Sequence, residues 1–132
     1  MRRRSSLDAY PNIGSRLPTL DATALDRLRR FGGGTLLGRM IDLFLVAAEE
    51  RIDTAARAGA TGDLETVERA LHSLKSSAAQ LGALEMQRLS DQGEREARAG
   101  SLDGTAELTS ALNDEFGRVR LWLTKARDEG AA

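Results

Sequence analysis

The chain has 132 residues, of which 41% are hydrophobic but only 4% aromatic, a composition that fits one domain with an aliphatic core of Leu, Ala, Val, Ile and Met. Nineteen basic against twenty acidic residues leave a formal net charge of −1, so the chain lacks the overall positive field with which nucleic-acid binders neutralise phosphates. Cysteine is absent, which excludes disulfides, thiolate catalysis and zinc–thiolate sites and is compatible with a reducing cytoplasm.

Residues 1–19 mix Arg, Ser, Pro, Asn and Gly without periodicity and are expected to form a mobile lead-in to a domain spanning 20–127. The basic start Met1-Arg2-Arg3-Arg4 is followed by Ser5-Ser6-Leu7-Asp8 rather than an apolar run, so no export signal is expected. Asp21 can cap a short helix carrying Leu25 and Leu28, which Phe31 and Gly32-Gly33-Gly34 should end. That glycine run precedes no Lys-Ser/Thr and follows no strand, so it reads as a hinge rather than a phosphate-binding loop. A second helix from about Thr35 to Arg57 places Leu37, Met40, Ile41, Phe44, Leu45, Ala48 and Ile52 at spacings of three and four. Its apolar run Leu43–Ala48 is far shorter than the roughly 20 residues of a membrane span, and no membrane association is expected.

Gly59 and Gly62 should break that helix, and Asp63 should cap the next. In this third helix Leu64, Val67, Leu71, Leu74, Ala78 and Leu81 follow a 3-4-3-4-3 spacing, the stripe of a helix packed in a bundle. Gly82 ends it. A fourth helix from about Leu84 to Ala99 offers Met86, Leu89, Gly93 and Ala97 as its inner face, and Gly93 in mid-helix suggests close approach of a neighbour. The last helix, from about Leu102 or Asp103 to Arg127, carries Leu108, Leu112, Phe116, Val119 and Leu123, leaving 128–132 as a tail. Nothing reads as a strand. The expected fold is all-α: an antiparallel up-down four-helix bundle with a short additional N-terminal helix covering one end.

His72 is the sole histidine, and at 100° per residue it lies roughly 130° from the Leu64–Leu81 stripe, so it should face solvent. Lys75 and Ser76 share its face, and its neighbours Ser73, Ala78 and Ala79 are small, so a partner could approach the ring closely. A neutral imidazole is a nucleophile near pH 7, and Lys75 could place positive charge near the oxygens of a transferring phosphoryl group. Beside His72 there is no acidic magnesium site of its own. Glu68 and His72, spaced i, i+4, could hold only an adventitious metal. One outward histidine cannot build the inward carboxylate–histidine cluster of a bundle metalloenzyme, and no nucleotide-binding loop supports a kinase.

The run His72-Ser73-Leu74-Lys75-Ser76-Ser77-Ala78-Ala79-Gln80-Leu81-Gly82-Ala83 resembles the His-x-Leu-Lys-Gly-Ser-x-x-x-x-Gly-Ala signature of histidine-containing phosphotransfer (HPt) domains. Phe44, Gly62-Asp63, Leu89, Glu94 and Arg98 also fit that family's pattern, over about residues 20–127. The resemblance implies that His72 is phosphorylated, that Lys75 supports the phosphate, and that Ser76, Ser77, Ala79 and Gln80 belong to the docking face. It gives Glu94 an orienting role. Ser76 stands where the family commonly has glycine, which implies slower or narrower partner pairing. By resemblance, the phosphoryl donor is a receiver-domain aspartyl phosphate and the acceptor a second receiver. A hybrid sensor histidine kinase lies upstream, and Mg2+ comes from the receiver, so the chain needs no cofactor of its own. It would be a cytoplasmic phosphocarrier rather than an enzyme with independent turnover. The alternative is an HPt-like adaptor that docks a signalling partner without being phosphorylated.

Overall fold

Four helices follow one another: α1 (Ala22–Ala60), α2 (Leu64–Gln80), α3 (Leu84–Arg98) and α4 (Leu102–Ala131). The computed structural model describes residues 19–131, and no strand occurs among them; apart from Thr19, the lead-in expected at 1–19 lies outside the described residues. Turns of three residues separate α1 from α2, α2 from α3 and α3 from α4, so successive helices must run antiparallel. α2 packs on α1 and α3, and α4 on α3 and α1, which closes the four helices into a ring around one core.

The apolar stripes meet in that core. Leu37 and Ile41 of α1, Val67, Leu71 and Leu74 of α2, Met86 of α3, and Leu112, Val119 and Leu123 of α4 are fully buried. Each such side chain contributes about 1.5–3 kcal/mol by leaving water, so an aliphatic core suffices. One 18-residue window of α1 has a mean hydropathy of 1.4, enough by length and composition to cross a bilayer. Within the bundle its inward residues Leu37, Ile41, Phe44 and Ala48 are covered by protein.

Caps form where the sequence places them. The Asp21 carboxylate accepts from the Thr23 backbone N–H at 3.0 Å and that of Asp63 from the Thr66 N–H at 3.2 Å, each satisfying a donor that the first turn leaves unpaired. A first arm of α1, starting at Ala22, precedes the helix expected from Thr35 and is set off from it by a kink. The kink lies at Gly33, whose φ of 75° and ψ of −174° break the helical path within the glycine run expected as a hinge. α1 also runs three residues past Arg57, to Ala60, and α4 continues beyond Arg127 to Ala131.

The first arm of α1 is stitched to the α2–α3 turn. The Asp21 N–H donates to the Gly82 carbonyl at 2.8 Å and the Leu84 N–H to the Thr19 carbonyl at 2.9 Å. Gly82 has a φ of 77°, and a Cβ there would overlap the Asp21 carbonyl oxygen, so both the turn and the crossing strand of backbone require glycine. The other close approach is at Gly93, where a Cβ would lie 2.6 Å from Leu71 Cδ1 and 3.4 Å from Leu108 Cβ. Gly93 thereby brings α3 down onto α2 and α4, and it sets the depth at which the next residue, Glu94, meets α2.

Candidate functional site

His72 projects from the middle of α2 with its side chain 64% exposed, and its Nδ1 lies 2.9 Å from Glu94 Oε2 on α3. The Glu94 side chain is only 5% exposed. A carboxylate buried to that degree needs compensating partners, and it has three. Lys75 Nζ donates to Oε1 at 2.8 Å, while Arg98 donates to Oε2 at 3.0 Å, the oxygen that also faces the imidazole.

The electrostatics decide the state of this group. Burial pushes the Glu94 carboxyl up, but the hydrogen bonds from Lys75 and His72 and the charge of Lys75 outweigh it and hold the group below its ordinary value. An ionised carboxylate has no proton to donate, so the proton in the His72–Glu94 contact sits on Nδ1. Nε2 is then left with its lone pair toward solvent. Lys75 is held above its ordinary value, chiefly by the hydrogen bond to Glu94 and further by Asp91, so it stays charged.

Lys75 is not the free surface cation that the sequence suggested. Its side chain is 28% exposed, and its ammonium is committed to Glu94 and, at 3.3 Å, to Asp91 Oδ1. Asp91 in turn pairs with Arg95 at 2.8 Å. At the other end, Arg98 Nε donates to Glu68 Oε2 at 2.9 Å, so Glu68 is engaged by a guanidinium rather than by His72. Neither Asp91 nor the Glu68–Arg98 link was singled out from sequence. The available signal was the i, i+3, i+7 spacing of Asp91, Glu94 and Arg98, which puts them on one helix face.

His72, Lys75, Ser76 and Ala79 form one stripe on α2, with Ser76 exposed and Ala79 half-buried. Gln80 is also exposed but turns toward α1, where it borders a shallow groove with Leu28, Phe31 and Met40. The Ser77 hydroxyl donates to the Ser73 carbonyl one turn back at 3.1 Å, so it is satisfied within its own helix. Phe44 and Leu89 are core residues. Glu68, Asp91 and Glu94 each accept from a cation, so these carboxylates do not fit a metal site beside His72.

The Hpt domain family model matches residues 39–122. Among solved structures, the chain is similar to histidine-containing phosphotransfer protein B of Pseudomonas aeruginosa, with a TM-score of 0.80 and 26% identity over 85% of this chain and 96% of that one. The HPT domain of a sensor hybrid histidine kinase from Shewanella shares the fold, with a TM-score of 0.71 and 18% identity over 86% of this chain and 97% of that one. No curated protein matches.

Proposed function

The chain belongs to the Hpt domain family, and from that premise we propose that it accepts a phosphoryl group on His72 Nε2 from a receiver-domain aspartyl phosphate and passes it to a second receiver. The observation that carries this reading is the pairing of an exposed imidazole with a buried, ionised Glu94 at Nδ1.

In the forward step the Nε2 lone pair attacks phosphorus and the P–O bond to the receiver's aspartate breaks, its electron pair returning to that carboxylate. The ring gains positive charge as the N–P bond forms, while Nδ1 keeps its proton. Glu94, already oriented toward Nδ1–H, stabilises that charge without moving, as preorganised electrostatics require. The reverse sequence, with a new receiver aspartate as nucleophile, discharges the carrier. Lys75 acts mainly through Glu94, whose Oε1 it holds. Because the carboxylates around His72 are engaged by Lys75, Arg95 and Arg98, the acidic pocket and Mg2+ are expected from the receiver. The stripe of His72, Ser76 and Ala79, flanked by Ser77 and Gln80, is the proposed docking face. An upstream hybrid sensor kinase and a cytoplasmic setting complete this reading. The adaptor alternative gains no support from a nucleophile poised in this way.

Incubation with phosphorylated receivers tests the proposal. Acid-labile label should appear on the protein and be absent from His72→Gln, which keeps the same melting temperature because the side chain is exposed. No other histidine and no cysteine exists as a backup nucleophile. Label persisting in His72→Gln would refute the site, and an unlabelled parent across a panel of receivers would favour the adaptor.

A further inference from the structure

Arg98 is 59% exposed, yet it joins two carboxylates around His72 and links Glu94 back to α2: Nε donates to Glu68 Oε2 at 2.9 Å and a terminal nitrogen to Glu94 Oε2 at 3.0 Å. Glu68 lies one turn before His72 on α2, and Lys75 nearly one turn after it, so the ring sits between two cross-helix links to α3. The terminal torsion of a glutamate is broad and roughly two-fold. Lys75 restrains only Oε1. At Oε2 the neutral imidazole is a weak restraint, and the charged Arg98 hydrogen bond is the stronger one.

Resting on the carrier function proposed above, we propose that Arg98, anchored by Glu68, is a positioning residue: by holding Glu94 Oε2 in place it fixes the Nδ1–H tautomer of His72 and leaves Nε2 as the nucleophile. The planar fork of arginine suits this role, because its Nε and terminal nitrogens donate to Glu68 and Glu94 from two separate, fixed positions, a geometry that a single ammonium nitrogen does not reproduce.

The single histidine makes the tautomer directly readable, since 15N NMR of histidine-labelled protein gives one imidazole. At a pH where the ring is neutral, the parent should show protonated Nδ1 and unprotonated Nε2. Arg98→Gln should show a mixture of both tautomers and accept phosphate more slowly, on the order of 10-fold, the size of effect usual for partners that orient a histidine. Glu68→Gln should shift both readouts the same way by less, and Arg98→Lys should restore them only in part. Arg98 is itself exposed, and Lys75 and His72 still accompany Glu94 in its absence, so melting temperatures should fall by less than in a variant that lacks Lys75. A parent-like tautomer in Arg98→Gln would overturn the proposal, as would a shifted tautomer with an unchanged transfer rate. Absence of label on the parent would instead overturn the carrier function, while the tautomer shift would still stand or fall by its own spectrum.

Discussion

Replacing Lys75 with alanine should cost the fold as well as the reaction, because Lys75 is the sole donor to Glu94 Oε1 among the described residues and that carboxylate is buried. Leaving a buried acceptor without its partner costs about 1–3 kcal/mol. Over residues 19–131, an unfolding entropy of about 2.1 cal/mol/K per residue converts each kcal/mol into roughly 4 °C, so melting should fall by about 4–13 °C. The double variant Lys75→Ala/Glu94→Gln should recover part of that loss, because a neutral amide needs no counter-charge. The missing part measures the coupling between the two residues. Thermal melts by circular dichroism read the stability, and receiver-to-protein transfer with phosphohistidine half-life reads the function. Both transfer and half-life should decline in Lys75→Ala. A melting temperature within 2 °C of the parent would show that the Lys75–Glu94 pair does not hold this carboxylate, and the assigned route from Lys75 through Glu94 to His72 would be wrong.

A depressed Glu94 carboxyl stabilises the folded state above the ordinary value of 4.5 and loses that contribution as pH falls through its lowered value. The melting-temperature gap between the parent and Glu94→Gln should therefore narrow on acidification below about pH 4.5, and a constant gap down to pH 2 would contradict it. Gly93→Ala should lower stability by about 1 kcal/mol, since overpacking against Leu71 and Leu108 costs about 1–3 kcal/mol and the helix-propensity gain of about 1 kcal/mol only partly offsets it. A stabilised Gly93→Ala variant would mean that the helices part without cost. Ser76→Trp should leave stability within about ±0.5 kcal/mol, as usual for an exposed site, while blocking acceptance from receivers. Parent-like transfer rates would move the docking face elsewhere.

Much of this protein is legible in its sequence because the relevant physics is local. The 3-4-3-4-3 spacing from Leu64 to Leu81 yields a helix with its stripe buried, Asp21 and Asp63 cap the helices they precede, and Gly62, Gly82 and Gly100 with φ near 80° make the turns. The outward aim of His72 follows from the same helical wheel. Three consecutive glycines suggested a hinge, and of the three only Gly33 leaves the helical path, while backbone hydrogen bonds tie Asp21 and Thr19 to the α2–α3 turn.

The site's chemistry was decided by tertiary structure. His72 and Lys75 are 22 and 19 residues from Glu94, and Glu68 is 30 from Arg98. Whether such groups meet depends on the register of α2 against α3, which no spacing within one helix encodes. That register rests on Gly93, whose missing side chain admits Leu71 and Leu108. It converts Lys75 from a cation expected on the surface into the partner of a buried carboxylate. Sequence alone therefore determined the helices, their inner faces and the exposed imidazole, through hydrogen bonds and apolar periods that span a few residues. Only the packed bundle, by burying Glu94 between two helices, decided that this carboxylate faces Nδ1 of His72 and that Lys75 and Arg98 pair with it.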